Sequence, residues 1–372
     1  MTAICLTFQV HKPLTLNHYD FFQIGHQQAY FELNSNDIDN FFRDTCIPVN
    51  QLLQKLVNNS KGKFKFAFSL SGTLLDQQTP QALDSFRQLI ARNSVELVCQ
   101  TYYHSQCFLY SKTEFCRQVE KHRNLLQTLF NKTPEVFYNT EKFYGNDIAR
   151  AVEELGFPGI ICEGNDSLMM GRSPNHVYLP LGSRKIRALI LNQGLMEDIS
   201  GRFTDPTWSE YPLTPSKMTK WLLHLADKGD SVVNLVLNYD IFSQTPPLLS
   251  FLEKLVSEIL SHQQLAFKLP TEIVQVGPVK GTFDATNSAN WAESEKELPA
   301  GIENYLQRES LERMYWLEKP IKTSSNQQLL EEWSNLQSVD HFKLMANDNK
   351  RKYDYYINYM NILTDLEQRL SC

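Results

Sequence analysis

The sequence predicts an α/β fold, a closed or nearly closed β/α barrel with its site at the strand C-termini, followed by a C-terminal α-helical bundle. Three observations predict it. Short apolar runs alternate with amphipathic stretches over roughly the first three-quarters of the 372 residues, the pattern of parallel strands joined by crossover helices. Polar or aromatic residues stand just after each run, where barrel enzymes place their sites. Beyond residue 300 apolar residues recur at helical spacing without intervening strands. An open doubly wound sheet is the runner-up, and the absence of any GxGxxG, GxxxxGKS or GxxxxGKT stretch removes its main support.

Ile4 to Val10 reads as the first strand and Lys65 to Leu70 (KFAFSL) as the second, with a helical pattern at Asn50 to Val57 between them. Pro80 to Arg92 is the next helix, and Val95 to Gln100 the third strand, ending at Thr101-Tyr102-Tyr103-His104. Glu114 to Phe130 is helical, and the strand that follows it ends at Asn139-Thr140-Glu141. Asp147 to Leu155 and Gly159 to Cys162 repeat the unit, and later strands fall at Ala188 to Leu191 and Ser231 to Leu237, the last running into Asn238-Tyr239-Asp240. Residues 1–276 form the predicted barrel, 277–300 a connector of low periodicity contributing to the cleft, and 301–372 the bundle, with helices at Gly301 to Leu317, Gln327 to Leu344 and Tyr353 to Leu370. The Tyr-rich stripe of the last helix reads as bundle core.

Composition narrows the function classes. A formal charge of -6 gives no positive field for a phosphate backbone, so nucleic-acid binding is not expected. No segment approaches the ~20 apolar residues that cross a bilayer, and Met1 to Val10 lacks a basic leader, so a cytoplasmic protein without a membrane partner is expected. The seven cysteines show no paired CxxC spacing and read as buried reduced thiols. Sequence leaves the oligomeric state open.

Five places put reactive groups just past a predicted strand or on a face that could meet one: His11, His104, Glu141, Asn238 with Asp240, and Asp340 with His341. Carboxylates lined by imidazoles and aromatic rings suit glycoside cleavage, which needs one carboxylate at the anomeric carbon and one acid at the leaving oxygen. Tyr103 and Tyr239 are candidate sugar-contacting rings. A metal alternative would use His11, His104 and a carboxylate, but no HxH or HExxH spacing supports it, and no metal is expected.

At these places the chain resembles glycoside hydrolase family 57, in its α-amylase and α-amylase-like branch. VHKP, with His11, resembles the family's HQP segment, and TYYHS, with His104, its second. FYNTEKFYGN resembles FRNTELIYSN, LNYDIF resembles the segment read DYETFG, and VDHF resembles SDHF. GRSPNHVY, EDISGRF and EYPLT agree in family order between them. The resemblance spans nearly the whole length. It implies an incomplete, TIM-like (β/α)7 barrel with a helical bundle, a retaining mechanism on α-glucans such as starch, glycogen or maltooligosaccharides, no cofactor, and Glu141 as nucleophile.

The departures lie where the chemistry is expected. Asn238 stands at the proton-donor position, and a carboxamide cannot protonate a departing alkoxide. Tyr138 replaces an Arg, Gln100 stands where members often have Glu, and in NWAESEKELPAGIEN Trp291 is kept, which the resemblance adds as a candidate sugar-contacting ring, while Gly301 replaces a second Trp. The expectation is an α-amylase-like protein that acts on or binds α-glucans, with hydrolysis impaired or lost because Asn238 occupies the proton-donor position. The alternative is an active retaining hydrolase or transferase in which Asp240 or water assists. A metal-dependent polysaccharide deacetylase-like enzyme is a remote third reading, for which the chain lacks the Asp-Asp and HxxxH pattern.

Overall fold

The computed structural model describes residues 1–26, 28–32, 36–164, 169–285 and 302–371, so Trp291 and Gly301 lie outside the described residues. The central strand, β1 (Thr2–Val10), is buried along nearly its whole length, as expected of a parallel strand covered on both faces. It pairs in parallel with β8 (Val232–Asn238) on one side and β2 (Phe66–Leu70) on the other. From β2 the sheet continues through β3 (Val95–Cys99), β4 (Val136–Tyr138), β5 (Gly159–Cys162) and β7 (Arg187–Ile190). Just past β7, one parallel bridge from Leu191 to Asn234 joins it to β8. Among the described residues the curled sheet is thus an incomplete barrel of seven parallel strands, its seam joined by that bridge and by the Asn234 side chain donating to the Leu189 carbonyl.

At that seam two strands peel away. β6 (Val177–Pro180) runs antiparallel to β7, and β10 (Val279–Phe283) pairs in parallel with β6. β10 falls inside the stretch predicted as connector. Only Phe283 of its five residues is buried, against Tyr144 and Tyr178, so the segment carries no alternating pattern to mark it as a strand. A short β9 (Leu265–Phe267), also unanticipated, pairs with the start of β1 before β2 begins.

Crossover helices cover the outside and begin where their caps dictate. Thr79 and Ser111 accept backbone hydrogen bonds from Ala82 and Glu114 to start the helices Pro80–Ile90 and Lys112–Phe130. Between the sheet and these helices Phe8, Phe66, Phe68 and Tyr239 pack mostly edge to face, with Phe68 meeting Phe86 of Pro80–Ile90, and each such ring contributes roughly 2–3 kcal/mol on burial.

The bundle comprises the helices Tyr305–Trp316, Glu318–Ser324, Gln327–Leu336, Val339–Lys343 and Lys352–Ser371. Its core centres on Trp333, whose indole donates to the Met314 carbonyl at 2.7 Å, and on Tyr359, whose hydroxyl donates to the Leu336 carbonyl at 2.8 Å. Of the predicted tyrosine stripe only Tyr359 is fully buried, and Tyr353 is exposed. The stretch predicted as one helix from Gln327 to Leu344 breaks at Ser338, whose ψ of 129° is not helical. That break docks the bundle on the barrel: Ser338 bridges Ser105, and the Val339 amide donates to the His104 carbonyl at 3.1 Å. Behind it Glu114, fully buried, holds Arg117, Lys322, Gln118 and Gln337. No helix among the described residues is long and apolar enough to cross a membrane.

Candidate active site

A cleft of about 210 Å³ opens at the C-terminal ends of the strands, where the bundle leans over the barrel. β1 supplies Gln9 and, one residue past its end, His11; β4 supplies Tyr138 and, three residues on, Glu141; β8 ends on Asn238. Asp340 and Lys343 enter from the bundle, one helical turn apart on the same face of Val339–Lys343. The cleft exists only because barrel and bundle meet there.

His11 is held at both ring nitrogens. Its Nε2 lies 2.8 Å from Asp340 Oδ2 and its Nδ1 2.7 Å from Ser71 Oγ. Its ring stacks on His104, centroids 3.8 Å apart at 24°. His104 in turn places Nδ1 3.2 Å from Gln100 Oε1 and Nε2 3.3 Å from Glu141 Oε1. Lys343 Nζ is 2.7 Å from that same Glu141 oxygen and 3.8 Å from Asp340 Oδ1. His104 and Glu141 both have left-handed backbones, φ 53° and 56°, a costly state for residues with a Cβ that is enriched at functional sites.

Charge follows this geometry. Burial pushes the Glu141 carboxyl up, but the hydrogen bond and charge of His104, with the Lys343 ammonium, outweigh it and bring the pKa to about 2. Asp340 lies well below the ordinary range, burial being overcome by His11, His104 and Lys343. Burial and the neighbouring His104 bring His11 down to about 4 despite Asp340, so it is neutral at pH 7 and donates from Nε2 to the carboxylate. Burial works against the Lys343 charge, and the two carboxylates raise its pKa regardless.

Other predicted residues are placed differently. Tyr103 is fully buried, its hydroxyl donates to Glu331 at 3.0 Å, and it is not among the residues that line the cleft. The His341 Nε2 faces the Asn335 carbonyl at 3.2 Å, and its ring lies in the bundle between Phe31 and Tyr359. Tyr239 touches the cleft wall, but its ring packs on Phe8 and Phe68 and its hydroxyl donates to Asn50 at 2.7 Å. None of the three presents its polar group to the cleft, because core packing and buried acceptors set the direction in which each side chain points.

Asp240 lines the cleft, yet not as an extension of the strand. β8 stops at Asn238, Tyr239 is already helical at φ -63° and ψ -31°, and Asp240 begins the helix Asp240–Gln244. Its carboxylate pairs with Lys12 at 3.2 Å on the lip shared with an outer groove. Two cleft residues escaped the sequence reading. Lys343 carried a signal, since it stands three residues after Asp340 in VDHFK; Gln9 carried none.

His11, His104 and Asp340 bring ligand atoms within 4.8 Å of one another. They fit a metal ion poorly. The two imidazole planes are nearly parallel and stacked, so an ion in the plane of one ring lies out of the plane of the other. Asp340 Oδ2 is also engaged by His11 and by Ser338 Oγ at 3.0 Å.

A curled seven-stranded β/α barrel under a helical bundle, with carboxylates and imidazoles gathered at the strand ends, is an enzyme-type barrel scaffold with its candidate site at the rim. Residues 5–286 match the family described as Glycosyl hydrolase family 57, and the chain belongs to that family. It is 31% identical, over 98% of its length and 84% of the relative's, to a "Putative alpha-amylase" of Methanocaldococcus jannaschii. The fold is similar to that of a GH57-type branching enzyme from Pyrococcus horikoshii, with TM-score 0.73, 11% identity, and 96% of this chain and 88% of that one covered. It is also similar to a 4-alpha-glucanotransferase from Thermococcus litoralis, with TM-score 0.68, 14% identity, and 92% of this chain against 56% of that one.

Proposed function

We propose that the protein binds α-glucans in this cleft and has impaired or lost hydrolysis. The observation that carries the reading is the pairing, in one cleft, of the ionised Glu141 with Asn238 in place of a second acid. Glu141 takes the nucleophile's place, and His11, His104 and Asp340 form the polar floor that accepts sugar hydroxyls. Asn238 can accept from or donate to a hydroxyl, but it cannot give a proton to a leaving oxygen. Losing positioned acid catalysis lowers rates by roughly 10² to 10⁴, and sugar alkoxides, being poor leaving groups, suffer most. Membership of the family and the glucan-related names of its similar proteins support the substrate class.

The test compares wild type, Glu141→Gln and Asn238→Asp on soluble starch and on an aryl α-maltoside, with maltooligosaccharide binding followed by calorimetry. Wild type is expected to bind and to hydrolyse starch barely above Glu141→Gln, and Asn238→Asp to gain cleavage. A robust Glu141-dependent rate on starch in wild type overturns the impairment. Asp240 favours the second reading, an active hydrolase or transferase, because its carboxylate also reaches the cleft; in that case Asp240→Asn, and not Asn238→Asp, controls turnover.

A further inference from the structure

The carboxylate at the nucleophile position is not free. Glu141 Oε1 faces two hydrogen-bond donors, His104 from the barrel and the Lys343 ammonium from the bundle at 2.7 Å. Lys343 is placed by an element whose other residues already anchor it: Val339 and Phe342 are buried in the bundle, and Asp340 is held by His11 and Ser338. Its own side chain is 47% exposed and leaves the bundle core for the cleft. What it touches is Glu141 and Asp340.

Attack by Glu141 forms a bond from a carboxylate oxygen to the anomeric carbon, while the bond from that carbon to the leaving group breaks and the leaving group departs with the electron pair. The carboxylate becomes a neutral ester. An ammonium at 2.7 Å therefore interacts more strongly with the ground state than with the glycosyl-ester, and an interaction lost on the way to the transition state raises the barrier.

We propose that Lys343 is a brake on this site: by holding Glu141 as an ion pair it keeps the cleft in a binding state and suppresses covalent attack on a bound α-glucoside. The inference rests on the placing of Glu141 at the nucleophile position, and it adds a second block independent of Asn238. Restoring the acid alone therefore gains cleavage but leaves the nucleophile held and the rate about tenfold or more below that of the variant lacking both blocks.

α-Maltosyl fluoride separates the two blocks, because fluoride departs with the electron pair and needs little protonation, after which water hydrolyses the ester and regenerates Glu141. Turnover is measured across pH for wild type, Lys343→Met, Lys343→Gln, Lys343→Arg and the Glu141→Gln/Lys343→Met double variant, with thermal unfolding as the folding control. Both neutral variants are expected to raise the Glu141-dependent kcat/KM about tenfold or more. The acid limb of their pH profile moves upward as Glu141 loses its cationic neighbour, and Lys343→Arg stays at the wild-type rate. Neutral variants that fold but match or fall below wild type, with the acid limb unmoved, overturn the brake. If those variants are silent while wild type binds maltooligosaccharides, the brake alone falls; absence of binding in every variant removes the glucan reading with it.

Discussion

Tyr138 shows how a single atom can report on a ligand. The residue lines the cleft with Glu141, and its hydroxyl is buried behind the cleft surface without a hydrogen-bond partner in the structure. A buried hydroxyl without a partner costs free energy that a bound sugar can recover by donating or accepting there. Tyr138→Phe is accordingly expected to leave unliganded stability unchanged or to raise it by up to about 1 kcal/mol, and to weaken maltooligosaccharide binding roughly 2- to 10-fold. Thermal unfolding and calorimetry check the two halves. The same position removes the cation that the resemblance places near the nucleophile, and Lys343 brings one back from the other side of the cleft. A cation supplied by the bundle differs from one supplied by the strand, because it depends on how the two parts dock.

Docking is decided by elements whose sequence gives little away. The helix break at Ser338 turns five residues so that Asp340 and Lys343 face the cleft while His341 and Phe342 enter the bundle. Behind it Glu114 ties the Lys112–Phe130 helix to Lys322 and Gln337. Replacing Glu114 with Ala leaves Arg117 and Lys322 without their buried counter-charge, and the expected loss is about 3–5 kcal/mol, read from denaturant unfolding. On the barrel side the Gly72 amide donates to the Tyr102 carbonyl at 2.9 Å, and a Cβ at Gly72 would come within 2.5 Å of the Tyr102 ring. Gly72→Ala is therefore expected to cost about 1–3 kcal/mol and to displace the turn that carries His104, weakening glucan binding in the same calorimetric assay.

At the scale of the whole molecule, burial of neutral histidines sets the pH response. Burial depresses His11, His122 and His341, each to about 4 in the folded protein, whereas the unfolded chain takes up these protons near 6.5. Between those values the unfolded state binds more protons, so stability rises with pH and falls on acidification. Burial raises Glu96 to about 7, which acts in the opposite sense above its ordinary value of 4.5. The histidines outnumber it. Unfolding between pH 4.5 and 6.5 is expected to take up roughly one to two protons net, about 1.4 kcal/mol per proton per pH unit, checked by urea midpoints across that window. A flat or inverted dependence would contradict this account. Below it, Glu141 adds stability that is present above 4.5 and lost as pH falls through about 2.

Sequence by itself determined the alternation that makes a barrel, the change to a bundle, the family, and the reactive residues that stand just past strands. His11, His104, Glu141 and Asn238 were legible because a parallel strand that ends in a barrel delivers the next few residues to one rim, whatever the rest of the chain does. Asp340 was legible from its place on a predicted helix face that could meet that rim, and from the family resemblance of VDHF. Only the tertiary structure decided which rings face the cleft, since Tyr103, Tyr239 and His341 point where Glu331, Asn50 and Asn335 accept their hydrogen bonds. It also decided that β10 belongs to the sheet, because one buried phenylalanine carries no periodic signal. And it decided that the candidate nucleophile meets Lys343, 202 residues away along the chain, a contact that exists only when the bundle packs on the barrel. Local pattern fixes what an element is and where it ends; long-range packing fixes the direction and charge environment of each side chain, and the chemistry of this cleft depends on both.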